Sequence, residues 1–388
     1  MKATQISRRK ILGALLGIPI AQRYGFAALQ MPILQDAGST HYEQNHNRHE
    51  KKRIQAFCVD FNWAKNGRFA KPGQWADADP KAHVDWYHAA GVNTIQTFCV
   101  SCNGYAWYKG GKIPAQPGLK YNFLRDVSQQ AHDRGQRVMG YFCIGANTRW
   151  EKLHPEESYG VDSCSPNIVF TKHYLDYLSL AISEALEATS IDGFMIDWLW
   201  TPSGPCKWLN CEKEMYEEFF DKPFPGRENI SAVEELDFKR RSIDRCWERI
   251  HSTAKRYKPQ SIIWLSCNNP GDPTIRGSKA FEQVDWLMNE NPDPVTWQDR
   301  GKIGKQTRLI QCVVGWGAKD DAPKIIQDPV LGIKDFYGFS MPGNDSLPRP
   351  VDDYLEKPID FFQGNDRNIA ALVRYFNDLP FNYLKKRS

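Results

Sequence analysis

The chain has 388 residues, 41% of them hydrophobic and 25% charged, with a formal net charge of +4. These are globular proportions, which exclude disorder, collagen-like repeats and coiled coils, and so small a charge offers no footprint for a nucleic acid. Thirteen tryptophans and ten cysteines stand out, but ten cysteines in this length fall far below disulfide-scaffold density and form no paired C-x₂-C zinc pattern.

At the N-terminus, Ser7-Arg8-Arg9-Lys10-Ile11-Leu12 resembles a twin-arginine export motif, followed by an apolar stretch from Ile11 to Ala21 that Gly13, Gly17 and Pro19 interrupt. A dozen apolar residues are too few to span a bilayer and suit the core of a signal peptide. Residues 1–30 are therefore expected to be a signal segment, with export to the periplasm or retention by an uncleaved anchor. Residues 31–52 are read as a linker, and the mature chain is expected to have no membrane span.

From Arg53 onward, short β-branched and aromatic runs alternate with stretches of helical period. The expected strands are Ile54–Phe61, Thr94–Val100, Arg137–Ile144, Gly193–Trp198, Ile262–Ser266, Val284–Met288, Leu309–Val314 and Phe336–Ser340. Helices are expected at Pro80–Ala90, Asn122–Arg134, Thr171–Ala188, Glu212–Phe220, Glu234–Tyr257 and Asp366–Phe376. Gly91 and Gly135 sit where a left-handed residue ends a helix before the next strand. Eight strands with parallel-type crossovers point to an α/β fold, a (β/α)8 TIM barrel over residues 53–388 as a single domain. A doubly wound sheet would carry a glycine-rich turn after its first strand, and none follows Phe61. Residues 201–229 are expected to be a loop insert over the active face.

In such a barrel the chemistry gathers at the C-terminal strand ends, which sorts the carboxylates. Alternation along Asp192–Trp198 puts Gly193, Met195 and Asp197 on one face, with Asp197 at the mouth and Asp192 at the opposite rim. At that place Asp197 could serve as a nucleophile towards an anomeric carbon, or could simply accept loop N–H groups. A glycosidase needs a second carboxyl group to protonate the leaving oxygen. Glu290 follows a strand pattern and precedes a Pro-ended loop, although alternation leaves open whether it or Asn289 faces inward. Asp60, in register with Ala56 and Cys58, is a candidate for ligand binding, whereas Asp285 begins its strand and reads as structural.

The segments Asp79-Pro80 to His83-Val84, Ala90-Gly91-Val92-Asn93, Asn103-Gly104-Tyr105-Ala106-Trp107-Tyr108 and Gln116-Pro117-Gly118-Leu119 carry a resemblance, in that order and spacing. It continues through Gly135, Gly140-Tyr141, His154-Pro155-Glu156, the Asp192–Trp198 strand and Cys206…Cys211, covering about Arg53 to Asn269. The chain resembles a family of hypothetical bacterial glycosyl hydrolases related to the α-L-fucosidase-like TIM barrels. The resemblance implies a glycoside hydrolase whose fourth-strand carboxylate, matched by Asp197, is the nucleophile. Where the fucosidase-like relatives carry a His-His pair, this chain reads Ser101-Cys102-Asn103-Gly104. Asn103 can bond a hydroxyl but cannot carry a proton as histidine does.

Trp63, Trp107, Tyr108, Trp198, Trp200, Trp297 and Trp316 all fall at or after expected strand ends, where flat apolar walls suit the C–H faces of sugars. Cys58, Cys99, Cys143, Cys267 and Cys312 read as small core hydrophobes, and Cys206 with Cys211 as a candidate loop-closing disulfide or a weak metal clip. No H-E-x-x-H, G-x-S-x-G, Walker or dinucleotide pattern occurs, so no cofactor and no required metal are expected. The reading is an exported retaining glycoside hydrolase acting on a carbohydrate. Asp197 is nucleophile and Glu290 acid/base, while Asp60, Asn103, Tyr105, Trp107, Trp198, Trp200, Asn268 and Trp316 line the sugar site. The alternatives are a non-catalytic carbohydrate-binding barrel and a different hydrolase on the same scaffold.

Overall fold

The computed structural model describes residues 52–64, 66–161, 164–267, 269–290, 303–315, 322–329, 332–343 and 345–383. The expected signal segment and all but the last residue of the expected linker lie outside these residues. Arg53–Ser388 form one compact unit.

Its eight strands are β1 (Gln55–Val59), β2 (Thr94–Gln96), β3 (Arg137–Cys143), β4 (Gly193–Asp197), β5 (Ile262–Cys267), β6 (Trp286–Asn289), β7 (Arg308–Val314) and β8 (Phe336–Ser340). They pair in parallel in sequence order, and β8 returns to β1 to close the barrel. The (β/α)8 TIM barrel expected from the alternation is therefore the fold. All strands are buried on both faces, which is why they read as near-continuous apolar runs.

The helices between them start and stop on local signals. Asp79 accepts from the Lys81 amide ahead of Pro80, opening the helix Pro80–Ala89, and Thr171 caps the helix Lys172–Ala188 through the Tyr174 amide. Ser231 does the same for the helix Ala232–Tyr257. Each such cap satisfies an amide the helix leaves orphaned, worth about 1 kcal/mol. Gly91 and Gly135 take φ values of +74° and +69°, the left-handed conformation their positions called for. The helices Lys172–Ala188 and Ala232–Tyr257 pack against each other outside β4 and β5. No helix of the described residues is long and apolar enough to cross a membrane.

Two expectations need correction. The second strand was expected to reach Val100, but regular pairing ends at Gln96. Thr97 and Cys99 still donate to the carbonyls of Met139 and Tyr141, and Val100 then bridges antiparallel to Ala106, so the apolar run folds into the loop. The stretch 201–229 is also more than a loop. It contains the helix Asn210–Phe220, and Cys206, Trp208, Met215 and Tyr216 bury themselves with Val169 and Phe238 in a hydrophobic cluster apart from the main core. All ten cysteines are free, so Cys206 and Cys211 are not bonded to each other. The Cys206 amide donates to Glu235, and the Cys211 thiol faces the Glu156 carbonyl at 3.5 Å.

Candidate active site

A cavity of about 910 Å³ opens at the C-terminal ends of the strands. Asp60, Asp197 and Glu290, from the ends of β1, β4 and β6, all line it. Asp197 is the most closely held. The Tyr141 hydroxyl, projecting from β3, donates to its Oδ2 at 2.7 Å, and the Trp198 amide donates to its Oδ1 at 2.8 Å. Met195 shares the cavity with it, as alternation along β4 requires. Asp60 is set by its own amide, which donates to the Ser340 carbonyl, and its Oδ1 accepts from the Asn62 amide at 2.8 Å. The Glu290 amide donates to the Cys267 carbonyl of β5. The ambiguity at the end of β6 resolves accordingly: Glu290 faces the cavity, and Asn289 is buried beside Gln311, to which its amide donates at 3.3 Å.

Burial governs the ionisation of all three. It raises Asp197 to about 6, against the pull of Tyr141, the Trp198 amide and Ser266. Burial raises Asp60 to about 7, opposed by the Asn62 amide and reinforced by the charge on Asp197. Glu290 has burial and the charges of Asp197 and Asp60 all acting in one direction, which holds it well above the ordinary carboxylate range. A carboxylate that accepts two hydrogen bonds and a carboxyl group whose surroundings favour the protonated form thus line one cavity, an arrangement that could serve as an acid–base pair.

Below this layer Gln96 of β2 and Tyr337 of β8 also line the cavity, with the Tyr337 hydroxyl donating to Gln96 Oε1 at 2.7 Å. At the mouth stand Trp63, Trp198 and Trp200, together with Lys239, Asn269, Asp272 and Thr274. Trp63, Phe69 and Trp198 form an aromatic corner, their ring centroids 5.0, 5.6 and 6.4 Å apart. Trp198 adopts φ +56°, a left-handed conformation that a bulky side chain occupies at some cost. Gly145 makes this turn possible, because a Cβ there would stand 2.6 Å from the Trp198 carbonyl oxygen and 3.0 Å from that of Trp200.

The loop after β2 departs from expectation. Asn103, Tyr105 and Trp107 do not line the cavity. Asn103 is buried and exchanges hydrogen bonds with Gln116, also donating to the Ala70 carbonyl, so its polar atoms brace the loop. Tyr105 lies under the Arg149 guanidinium at 6.0 Å. Trp107 is 1% exposed, stacks on Phe61 at 4.6 Å and donates to Ser101 Oγ. A tryptophan just past a strand end here fills the core, because this loop folds back over the helix layer. Asn268, Trp297 and Trp316 lie outside the described residues.

The remaining acids sort as their positions suggested. Asp192, at the opposite rim, accepts from His132 at 2.9 Å and from the Val138 amide at 2.8 Å. Burial pushes it up, yet His132, the Val138 amide and Lys258 together outweigh this and its ionisation falls below the usual value. Asp285 accepts from the Ile263 amide. Tyr141, Gln96 and Tyr337 were not singled out from the sequence. The inward alternation that located Asp197 would have found them, since all three are polar side chains within otherwise apolar strands. Among the described residues no group of three or more His, Cys, Asp or Glu side chains is arranged to hold a metal ion.

No protein-family model matches the chain, and no curated protein does. Among solved structures it is similar to α-L-fucosidase isoenzyme 2 from Paenibacillus thiaminolyticus, with TM-score 0.61 and 13% identity over 84% of this chain and 49% of that one. It is similar also to β-galactosidase from Bacillus circulans sp. alkalophilus, with TM-score 0.54 and 13% identity over 84% and 56%. A third is the PgaB (BpsB) glycoside hydrolase domain from Bordetella bronchiseptica, with TM-score 0.52 and 11% identity over 76% and 94%. The chain thus spans about half the length of the first two. At these identities the likeness is one of fold: the chain is a TIM barrel of the kind that these glycoside hydrolases share.

Proposed function

We propose that the protein is an exported glycoside hydrolase that cleaves a glycan or oligosaccharide by a two-carboxylate retaining mechanism. The observation that carries this reading is the pairing, in one cavity, of Asp197, hydrogen-bonded as an anion, with Glu290, held protonated by burial and two acidic neighbours. The fold shared with glycoside hydrolases supports it. Asp197 attacks the anomeric carbon and forms a glycosyl ester while Glu290 gives its proton to the departing oxygen. Glu290, now ionised, then takes a proton from the water that hydrolyses the ester. Asp60 bonds sugar hydroxyls, and the corner of Trp63, Phe69 and Trp198 packs on a ring face. Because Ser101–Gly104 replaces a His-His pair, fucose is not assumed. Export rests on Ser7–Leu12 and the apolar run after it.

Screening the purified chain against a panel of 4-nitrophenyl glycosides tests the activity. Release of nitrophenol from at least one sugar is the expected result, with Glu290→Gln losing far more activity on the matching glycoside of an unactivated alcohol than on the nitrophenyl glycoside. Sugar binding with no hydrolysis of any member would instead establish a non-catalytic carbohydrate-binding barrel.

A further inference from the structure

One buried polar side chain lining the cavity is unusual in what it lacks. Gln96 is 1% exposed, and its register is fixed by pairing of Cys58 with Gln96 on one side and of Gln96 with Met139 on the other. Its carbonyl oxygen accepts from the Tyr337 hydroxyl at 2.7 Å, so the amide nitrogen is the end turned away from Tyr337. Gln96 Nε2 then has no acceptor among the described residues. Buried amides are normally satisfied, and a donor left without a partner costs stability. A leucine would fill the same volume without that cost. Tyr337 is itself held, its ring packing edge-on to Trp264 at 5.3 Å, so the hydroxyl that Gln96 meets is fixed in place.

We infer that Gln96 is the specificity-determining donor at the floor of the sugar site, reserved for a hydroxyl oxygen of the ring that enters deepest. Asp60, two residues beyond Cys58 on the neighbouring strand and lining the same cavity, supplies the acceptor that a hydroxyl also needs. One donor and one acceptor read the ring together. The hydroxyl seated at Gln96 must be free, because a further sugar attached there would collide with the closed floor of the barrel. The substrate class is therefore a glycan presenting an unsubstituted hydroxyl at that position of its reacting sugar. This deepens the glycosidase reading and rests on it.

The test is calorimetric titration of the wild-type chain with L-fucose, D-galactose, D-glucose and N-acetyl-D-glucosamine, then with each monodeoxy derivative of the sugar that binds. Gln96→Leu and Gln96→Met are titrated alongside. The wild type is expected to lose roughly ten- to a hundredfold in affinity on removal of one particular hydroxyl. In Gln96→Leu that same deletion is expected to cost nothing, the other deletions costing what they cost the wild type. Gln96→Met keeps the length of the side chain but has no N–H to give, and is expected to weaken binding of the intact sugar while unfolding at a similar temperature. Wild type and variants that respond alike to every deoxy sugar would overturn the inference and leave Gln96 a structural residue. A wild type that cleaves no member of the 4-nitrophenyl glycoside panel would overturn the glycosidase reading itself, separately from this inference.

Discussion

At Asp197 three groups, Tyr141, the Trp198 amide and Ser266, compete with burial, and the balance decides the pH at which the proposed nucleophile ionises. Tyr141→Phe removes one of them while retaining the ring. The anion loses a hydrogen bond, so its ionisation moves above about 6. The acid limb of the kcat/KM profile is expected to shift to higher pH, with activity at pH 6 down about tenfold or more. An unshifted limb would mean that Tyr141 does not govern this proton. Asp60 has a different consequence, for stability. Its carboxyl is held up to about 7 in the folded chain against 3.8 without the fold. Between those values the folded state binds the proton and the unfolded state has released it, so stability falls as pH rises through this window. Asp60→Asn abolishes that slope. Denaturant unfolding at pH 4 and pH 8 is expected to show the variant gaining on the order of 2 kcal/mol relative to wild type at the higher pH only. An equal difference at both would refute the buried-proton explanation.

The elements that were legible in the sequence are those with strong alternation. All eight strands and the six expected helices follow from apolar period, caps and the glycines at 91 and 135, and Asp197 from its place in the β4 pattern, whereas the short helices Pro273–Arg276, Lys279–Gln283 and Ala322–Gln327 were not anticipated. The loops were not legible, because what decides their side chains is long-range packing. Trp107 and Trp198 both follow strand ends, yet one is swallowed by Phe61 and Phe123 and the other turns to the cavity. Nothing local distinguishes them. The difference lies in the close approach of Gly145 to the backbone of Trp198 and Trp200, a contact between residues over 50 positions apart. That contact makes its own prediction. Gly145→Ala would press a methyl group into two carbonyl oxygens, displacing the turn that carries the Asp197 amide partner. It is expected to cost about 1–3 kcal/mol in unfolding free energy and to lower kcat/KM more than that loss alone would produce at a temperature where the variant is folded. Wild-type kinetics in a folded Gly145→Ala chain would show that the turn tolerates the shift.

Over the whole molecule, a closed parallel barrel brings residues from β1, β4 and β6 to one rim although more than 200 positions separate Asp60 from Glu290. The aromatic excess visible in the composition divides between two uses. Trp107, Trp247 and Trp264 are fully buried core, while Trp63, Trp198 and Trp200 line the mouth. The second cluster around Trp208 and Tyr216 anchors the 201–229 segment beside that mouth, so Thr201–Gly204 form part of the cavity wall. Everything converges on the role of one carboxylate. The most direct measurement is the turnover of Asp197→Asn on the aryl glycoside that the wild type cleaves fastest. Loss of about a thousandfold or more in kcat, with partial recovery when azide is supplied as an external nucleophile, is the expected outcome. Turnover within tenfold of wild type would contradict Asp197 as the nucleophile.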